Sequence, residues 1–485
     1  MFKFFKNFYK TSEPIAPLNI DEKAQGKLYR KFSLQAFAAG TLGYSFYYVC
    51  RAAINVMKKP IIDSGLLDAD QLGTIGAVSL AAYAIGKFVN GFLADYSNIK
   101  RFMATGLIIS ALACLLMGVG GLIGAEQYAA LVNIDPESAK NVSFLVFIAF
   151  AILWGMSGWA QSMGAPPAII ALSRWFPLSR RGTYYGFFSA SHNIGEGLSF
   201  IFVGSIVAAA GWQWGFFGAA IAGLIGIITI ILFLHDTPES KGLPSIEVFA
   251  NEKVPAKSQS ANDAQRIALR TPAVWILALA SAFMYISRYS LNSWGVLFMQ
   301  EQKGYSLIEA STIISINAWL GVVGTVVAGW MSDTLFHGDR KMPALVSGVL
   351  LSISYAIFIY GGNEYWVSVL AMALFGIAIG VLIAFLGGLM AVDIVPRKAT
   401  GAALGIVGMV SYAAASIQEK VSGYLVNNNI NITEKIVEVV NEAGETIQQV
   451  EKVYDFSDAA IFWIGASVIS FLLPLLNWRR KVQEE

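Results

Sequence analysis

Charge is what this sequence is short of. Asp, Glu, Lys and Arg make up 14% of its 485 residues, against about 25% in a soluble domain. Cysteine is nearly absent: Cys50 and Cys114 are the whole complement, and both fall inside apolar runs, which excludes a disulfide scaffold. There are three histidines, and no His/Cys/Asp/Glu spacing suits a metal ion, so neither a metal nor another cofactor is expected. Gly118–Gly121 is not followed by the Lys-Ser/Thr of a phosphate-cradling loop; it lies inside an apolar run, where small residues ease helix packing. These absences argue against an enzyme.

What is present is apolar surface in long blocks. Hydrophobic residues make up 56% of the chain, and runs of 18 or more with few charges read as membrane-spanning helices. Twelve are readable, at 32–54, 71–94, 102–124, 142–172, 182–209, 212–234, 272–299, 308–331, 342–361, 365–393, 399–427 and 459–478. The expected fold class is therefore all-α: a multi-pass membrane protein of twelve transmembrane helices. Alternate connections divide the basic residues unequally, 24 of 34 Lys and Arg on the side of both termini and six on the other. Basic loops stay in the cytoplasm, so both termini are expected there, most simply at a bacterial inner membrane. The basic residues are topological and no nucleic-acid partner is expected. The first span is too long for a signal-peptide core, so no cleaved signal is expected.

The spans divide six and six. A cytoplasmic tail (1–31) precedes a first bundle (32–234). A Pro- and Ser-containing linker follows (235–271), beginning Asp236-Thr237-Pro238-Glu239. A second bundle (272–478) carries a polar external insert near 428–458, and a short tail (479–485) ends the chain. The halves echo each other. Gly91-Phe92-Leu93-Ala94-Asp95 after the second span matches Gly329-Trp330-Met331-Ser332-Asp333 after the eighth, at an offset of 238. Arg51 in the first span matches Arg288 in the seventh, at an offset of 237. Parallel repeats about an axis along the membrane normal are a transporter architecture, with the substrate site at the midplane between the halves. Asp95 and Asp333 read as gating or structural residues at the membrane surface, where each can accept from a helix N-terminus or a basic side chain.

An ionisable side chain at the centre of a span costs about 2.5–3.5 kcal/mol on insertion scales and marks function. Those present are Arg51, Lys87, His192, Glu196, Arg288 and the adjacent Glu419 and Lys420. Arg51 and Arg288 hold equivalent places, with no acid at a matching repeat position. Two unpaired guanidiniums facing one cavity call for an anion, and their planar forks fit a phosphate bidentately. Lys87 and His192 are expected in the same cavity. Glu196 shares a helix face with His192 and is expected either to tune the site or to pair with Lys87 or His192. Glu419 and Lys420 read as structural, in an intrahelical or an interhelical pair. Tyr44 and Tyr48 precede Arg51, and Tyr285 precedes Arg288; with Tyr83 and Tyr412 they are candidate donors to the ligand.

These residues, taken with Lys87-Phe88 through Asp95-Tyr96-Ser97-Asn98, His192-Asn193-Ile194-Gly195, Asp236 through Pro244 and Gly338-Asp339-Arg340, resemble the organophosphate:phosphate antiporters of the major facilitator superfamily. The resemblance spans nearly the whole chain. It implies two pseudo-symmetric six-helix bundles and alternating access, and exchange of glycerol-3-phosphate or a sugar phosphate for inorganic phosphate by a monomer in the lipid bilayer. One branch of that family is a sensor for external hexose phosphate, and a proton-coupled anion symporter is a further reading. It also implies that the positions matching Arg51 and Arg288 bind phosphate, with those matching Lys87, His192, Tyr44, Tyr48, Tyr83, Tyr285 and Tyr412 around them. Where glycerol-3-phosphate carriers have bulk, this chain has Ala165 and Gly380, which predicts a larger pocket; Leu404 and Val407 depart from the Asp-x-x-Lys of hexose-phosphate carriers. Repulsion between two bare arginines predicts that the empty carrier crosses poorly and that exchange is obligatory.

Overall fold

A computed structural model describes residues 7–251, 261–336, 340–395, 399–428, 435–440, 446–451 and 454–477. The first bundle comprises α1 (Glu22–Asp63), α2 (Ala69–Asp95), α3 (Ile99–Leu131), α4 (Pro136–Trp175), α5 (Leu178–Ala210) and α6 (Trp212–Phe233). The second comprises α7 (Pro272–Gln302), α8 (Leu307–Thr334), α9 (Lys341–Tyr360), α10 (Tyr365–Ala384), α11 (Thr400–Asn428) and α12 (Ser457–Leu472). Among the described residues ten helices are long and apolar enough to cross a membrane. The remaining two expected spans, α1 and α11, are helices of 42 and 29 residues. Much of the ionisable cluster described below sits on those two helices. The insert carries a small antiparallel hairpin, β1 (Lys435–Val440) with β2 (Thr446–Glu451).

Helix starts follow local chemistry. Asp68 accepts from the Gln71 N–H while the Gln71 side chain accepts from the Asp68 N–H, a reciprocal cap on α2. Ser306 and Glu309 do the same for α8. A π-helical turn interrupts α5 at Ser199–Val203, against α1 and α8 at the bundle interface, and another follows α10 at Phe385–Leu389, packed within the second bundle.

The start of the linker is built into the first bundle. The Asp236 carboxylate accepts from Arg174 Nη1 at 2.5 Å, the Ser12 N–H at 2.7 Å and the Ile99 N–H at 3.0 Å. It thereby ties the N-terminal tail, the positive end of α3 and the end of α4 to one face, the linker face. Beside it His235 packs edge-on to Phe32, its ring nitrogen 3.1 Å from Gln35 Oε1. Burial, with Lys241 and Lys100 nearby, pushes its pKa down to about 4, below the unfolded value of about 6.5. The unfolded chain therefore binds the proton first. The stability this neutral imidazole contributes is complete above the unfolded pKa and is lost as pH falls from there toward the folded pKa. We expect thermal stability in detergent to drop between pH 7.5 and 5, and His235→Gln to flatten that slope. An unchanged slope would remove His235 as its source.

The two bundles meet along α1–α7, α2–α11 and α5–α8. At the face away from the linker the approach is close. A Cβ on Gly73 of α2 would lie 2.9 Å from the Cα of Gly423 of α11, and the reverse holds equally, so glycine on both sides permits this crossing. The same end carries bonds from bundle to bundle: Lys420 Nζ to Asp70 at 2.6 Å, Ser416 Oγ to the Ala77 carbonyl at 2.8 Å, and an ion pair between Lys59 and Glu301. Toward the linker face, by contrast, Phe88, Phe92 and Phe187 are exposed. The interface is latched at the far end.

Candidate functional site

A single stripe of α1 organises the site. Tyr44, Tyr48, Arg51, Asn55 and Lys58 recur every three or four residues and so share one helix face. Arg51 is held side-on. Its Nε donates to Gln161 Oε1 at 2.7 Å, and Gln161 is itself anchored by donating to Ser157 Oγ at 2.9 Å. The guanidinium lies 4.5 Å from the Tyr48 ring centroid and 4.1 Å from that of Tyr83, the geometry of a cation–π clamp. Both terminal nitrogens, Nη1 and Nη2, are buried with no hydrogen-bond partner among the described residues. A buried guanidinium edge left bare in this way is costly and is shaped to receive two oxygens of one anion.

Arg288 corrects the expectation of two unpaired arginines. Its Nη2 donates to Glu196 Oε2 at 3.2 Å, and Asn292 Nδ2 donates to Glu196 Oε1 at 2.8 Å. Arg288 is 4% exposed and Glu196 6%. The acid sits on α5 of the opposite bundle, outside any repeat relation, and its partner is neither Lys87 nor His192.

The other expected site residues join the same cluster by contact. Tyr83 and Tyr412 rings are 4.5 Å apart, Tyr412 and Tyr285 5.2 Å, and Tyr44 and Tyr48 5.4 Å. Tyr48 lies 5.7 Å from the His192 ring, whose Nε2 is buried with no partner among the described residues. Lys87 is exposed at the margin, its Nζ 4.9 Å from the Tyr412 centroid. Asp95, the last residue of α2, is exposed; the side chain of Asp333 lies outside the described residues. A cavity of about 40 Å³ between the bundles is lined by Tyr48, Arg51, Asn55, Glu196, Asn292 and Glu419, among others.

Neither Ala165 nor Gly380 lines this cavity. A Cβ on Gly380 would meet the α8 backbone, at 2.9 Å from Thr325 N and 3.0 Å from the Gly324 Cα, so this glycine serves helix packing and adds no room.

Lys58 lies beyond the first expected span (32–54), yet it is 1% exposed inside α1. Its Nζ donates to Glu419 Oε2 at 3.1 Å and Ser293 Oγ at 2.7 Å and lies 3.5 Å from the Trp294 ring centroid; the Trp294 indole donates to the same carboxylate oxygen at 3.1 Å. Glu419 and Lys420 therefore do not pair with each other. Each bridges to the first bundle, to Lys58 and Asp70 respectively. The stripe spacing from Arg51 was the signal that points to Lys58. Gln161, Asn292 and Tyr289 had none, being polar or aromatic residues among many.

Residues 40–418 match the family model of the Major Facilitator Superfamily. A probable hexose phosphate transport protein of Chlamydia pneumoniae is 31% identical over 82% of this chain and 86% of its own length. The glycerol-3-phosphate transporter of Bacillus subtilis (strain 168) is 30% identical over 87% and 92%. Among solved structures, a bacterial homologue of the human lysosomal transporter Spinster, inward-facing and unoccupied, aligns with a TM-score of 0.66 at 16% identity, covering 92% of this chain and 95% of that one.

Proposed function

The chain belongs to the major facilitator superfamily, and we propose that it exchanges a phosphorylated metabolite, a sugar phosphate or glycerol-3-phosphate, for inorganic phosphate by alternating access. The observation that carries this reading is the bare edge of Arg51. A guanidinium clamped between two tyrosines with both terminal nitrogens free is built for a bidentate oxyanion. Arg288 supplies a second fork across the interface once Glu196 yields. Lys87, His192, Tyr44, Tyr48, Tyr83, Tyr285 and Tyr412 complete the binding surface, offering donors to phosphate oxygens and rings to the organic moiety. That phosphate is common to the substrates named for the two relatives, of hexose and of glycerol, fits a site whose specific chemistry is the phosphate clamp.

With the termini in the cytoplasm, the far-end latch makes this conformation inward-facing. Substrate bound between Arg51 and Arg288 draws the bundles together on the linker side, and the far-end ion pairs open in exchange. Asp95 and Asp333 lie at the linker-side ends of α2 and α8 and act there as gate contacts. The carrier works as a monomer, since each chain holds both halves of the site.

The test is uptake of radiolabelled phosphate by proteoliposomes preloaded with phosphate. We expect self-exchange that is inhibited by hexose phosphates or glycerol-3-phosphate and untouched by the unphosphorylated compounds. Phosphate binding with no flux would replace the exchanger by a receptor, and absence of both would remove phosphate from the account.

A further inference from the structure

We infer that Glu196 is a tethered counter-anion that lets the empty carrier reorient, so that this protein also performs net transport without a counter-substrate. The inference rests on the phosphate-exchange reading and concerns the half of the cycle in which no substrate is bound.

The carboxylate of Glu196 occupies Arg288 as a phosphate would. It takes one guanidinium donor at 3.2 Å and the Asn292 amide at 2.8 Å, and it spans the two bundles, α5 to α7. The groups facing it are Tyr48, Arg51 and Lys58 from α1, Arg288, Tyr289 and Asn292 from α7, Glu419 from α11 across the cavity, and His192 on its own helix; α8 presents Trp319 to the adjacent Gly197. Lys58 and Glu419 neutralise each other, and Lys87 stands exposed at the margin. What remains in the centre is Arg51, Arg288 and Glu196, with one net positive charge.

That sum decides which forms of the carrier cross readily. The cost of holding charge in a low-dielectric core grows with the square of the net charge. A phosphate monoester is a dianion above about pH 6, and binding one turns the central net charge from plus one to minus one. Empty and loaded carriers then face equal electrostatic costs, and nothing in the charge balance confines the carrier to exchange. Without the carboxylate, the empty site would hold two positive charges and the loaded site none. Only that arrangement gives obligatory exchange. Glu196 therefore overturns the basis on which strict coupling is expected from the two arginines alone.

The experiment compares two fluxes in the same proteoliposomes at mildly alkaline pH, where inorganic phosphate too is mainly the dianion, with the membrane potential clamped by potassium and valinomycin: efflux of internal labelled phosphate into phosphate-free buffer, and efflux into buffer containing phosphate. For the wild type we expect net efflux within about tenfold of exchange. For Glu196→Gln we expect tighter phosphate binding, since the internal competitor is gone, and a ratio of net efflux to exchange at least about tenfold lower, the scale of one lost ion pair in a buried site. Wild-type exchange with no net efflux would overturn this inference and leave the exchange reading intact, and that arm needs no variant to fold. An unaltered ratio in Glu196→Gln would overturn it equally. Absence of exchange in the wild type would overturn both readings together.

Discussion

Arg51→Lys is expected to weaken phosphate binding by about 100-fold, the equivalent of about 3 kcal/mol for a buried charge-assisted contact, and to silence phosphate exchange while the protein still inserts. Lysine keeps the charge and loses three things at once. It has no parallel N–H pair for two phosphate oxygens, no Nε to hold Gln161, and no plane to lie between the Tyr48 and Tyr83 rings. Arg288→Lys should cost less. In the resting protein Arg288 spends one of its terminal nitrogens on Glu196, and a lysine ammonium can make that contact as well as guanidinium can. The expected order is therefore Arg51→Lys more damaging than Arg288→Lys, although the two positions are equivalent by repeat. Calorimetric phosphate titration of the detergent-solubilised variants, beside their exchange rates, measures this. Equal losses would mean that Glu196 does not distinguish the arginines, and near-normal exchange in Arg51→Lys would dismantle the clamp.

The sequence made the helices and the positions of the arginines readable because both follow from local pattern: apolar run length for the former, and the isolation of a charge inside such a run for the latter. Partner choice was not readable. Glu196 meets Arg288 because α5 docks against the second bundle, and no spacing within α5 encodes which helix lies opposite. Lys58 falls outside the expected first span for a related reason. Its neighbours Lys59 and Pro60 look like the end of a span, yet the helix runs on to Asp63 with Pro60 inside it. The charge is stabilised by an acid 361 residues away, and a reading of α1 alone cannot supply that partner. Gly380 shows the same limit. Its lack of a side chain is plain in the sequence, but whether the space opens into a cavity or is filled by the α8 backbone depends on tertiary packing.

Glu419→Gln is expected to release the far-end latch. The Lys58–Glu419 pair is nearly dry, at 1% and 3% exposure, and joins α1 to α11 across the interface. Removing one partner of such a pair leaves the other charge buried without compensation, at about 3–5 kcal/mol, whereas removing both is often close to neutral. In a two-state carrier that penalty falls on the conformation in which the pair is buried. The conformation closed at the far end should therefore lose at least about 100-fold in population relative to the alternative. The readout is a thiol in the cavity wall, Ser79→Cys, probed with a membrane-impermeant maleimide from the side away from the linker. We expect protection in the otherwise wild-type protein, rapid labelling with Glu419→Gln or Lys58→Met, and protection largely restored when both are changed. Misfolding would not be repaired by a second substitution, so recovery in the double variant separates a shifted equilibrium from a damaged protein. Lys420 and Asp70 span the same gap but are far more exposed, with side chains 46% and 32% accessible. Solvent screens such a pair to at most about 1 kcal/mol, so Lys420→Met should alter labelling several-fold at most. If Lys420→Met opens the far end as readily as Glu419→Gln, the latch is held by the rim of the interface and not by its buried pair.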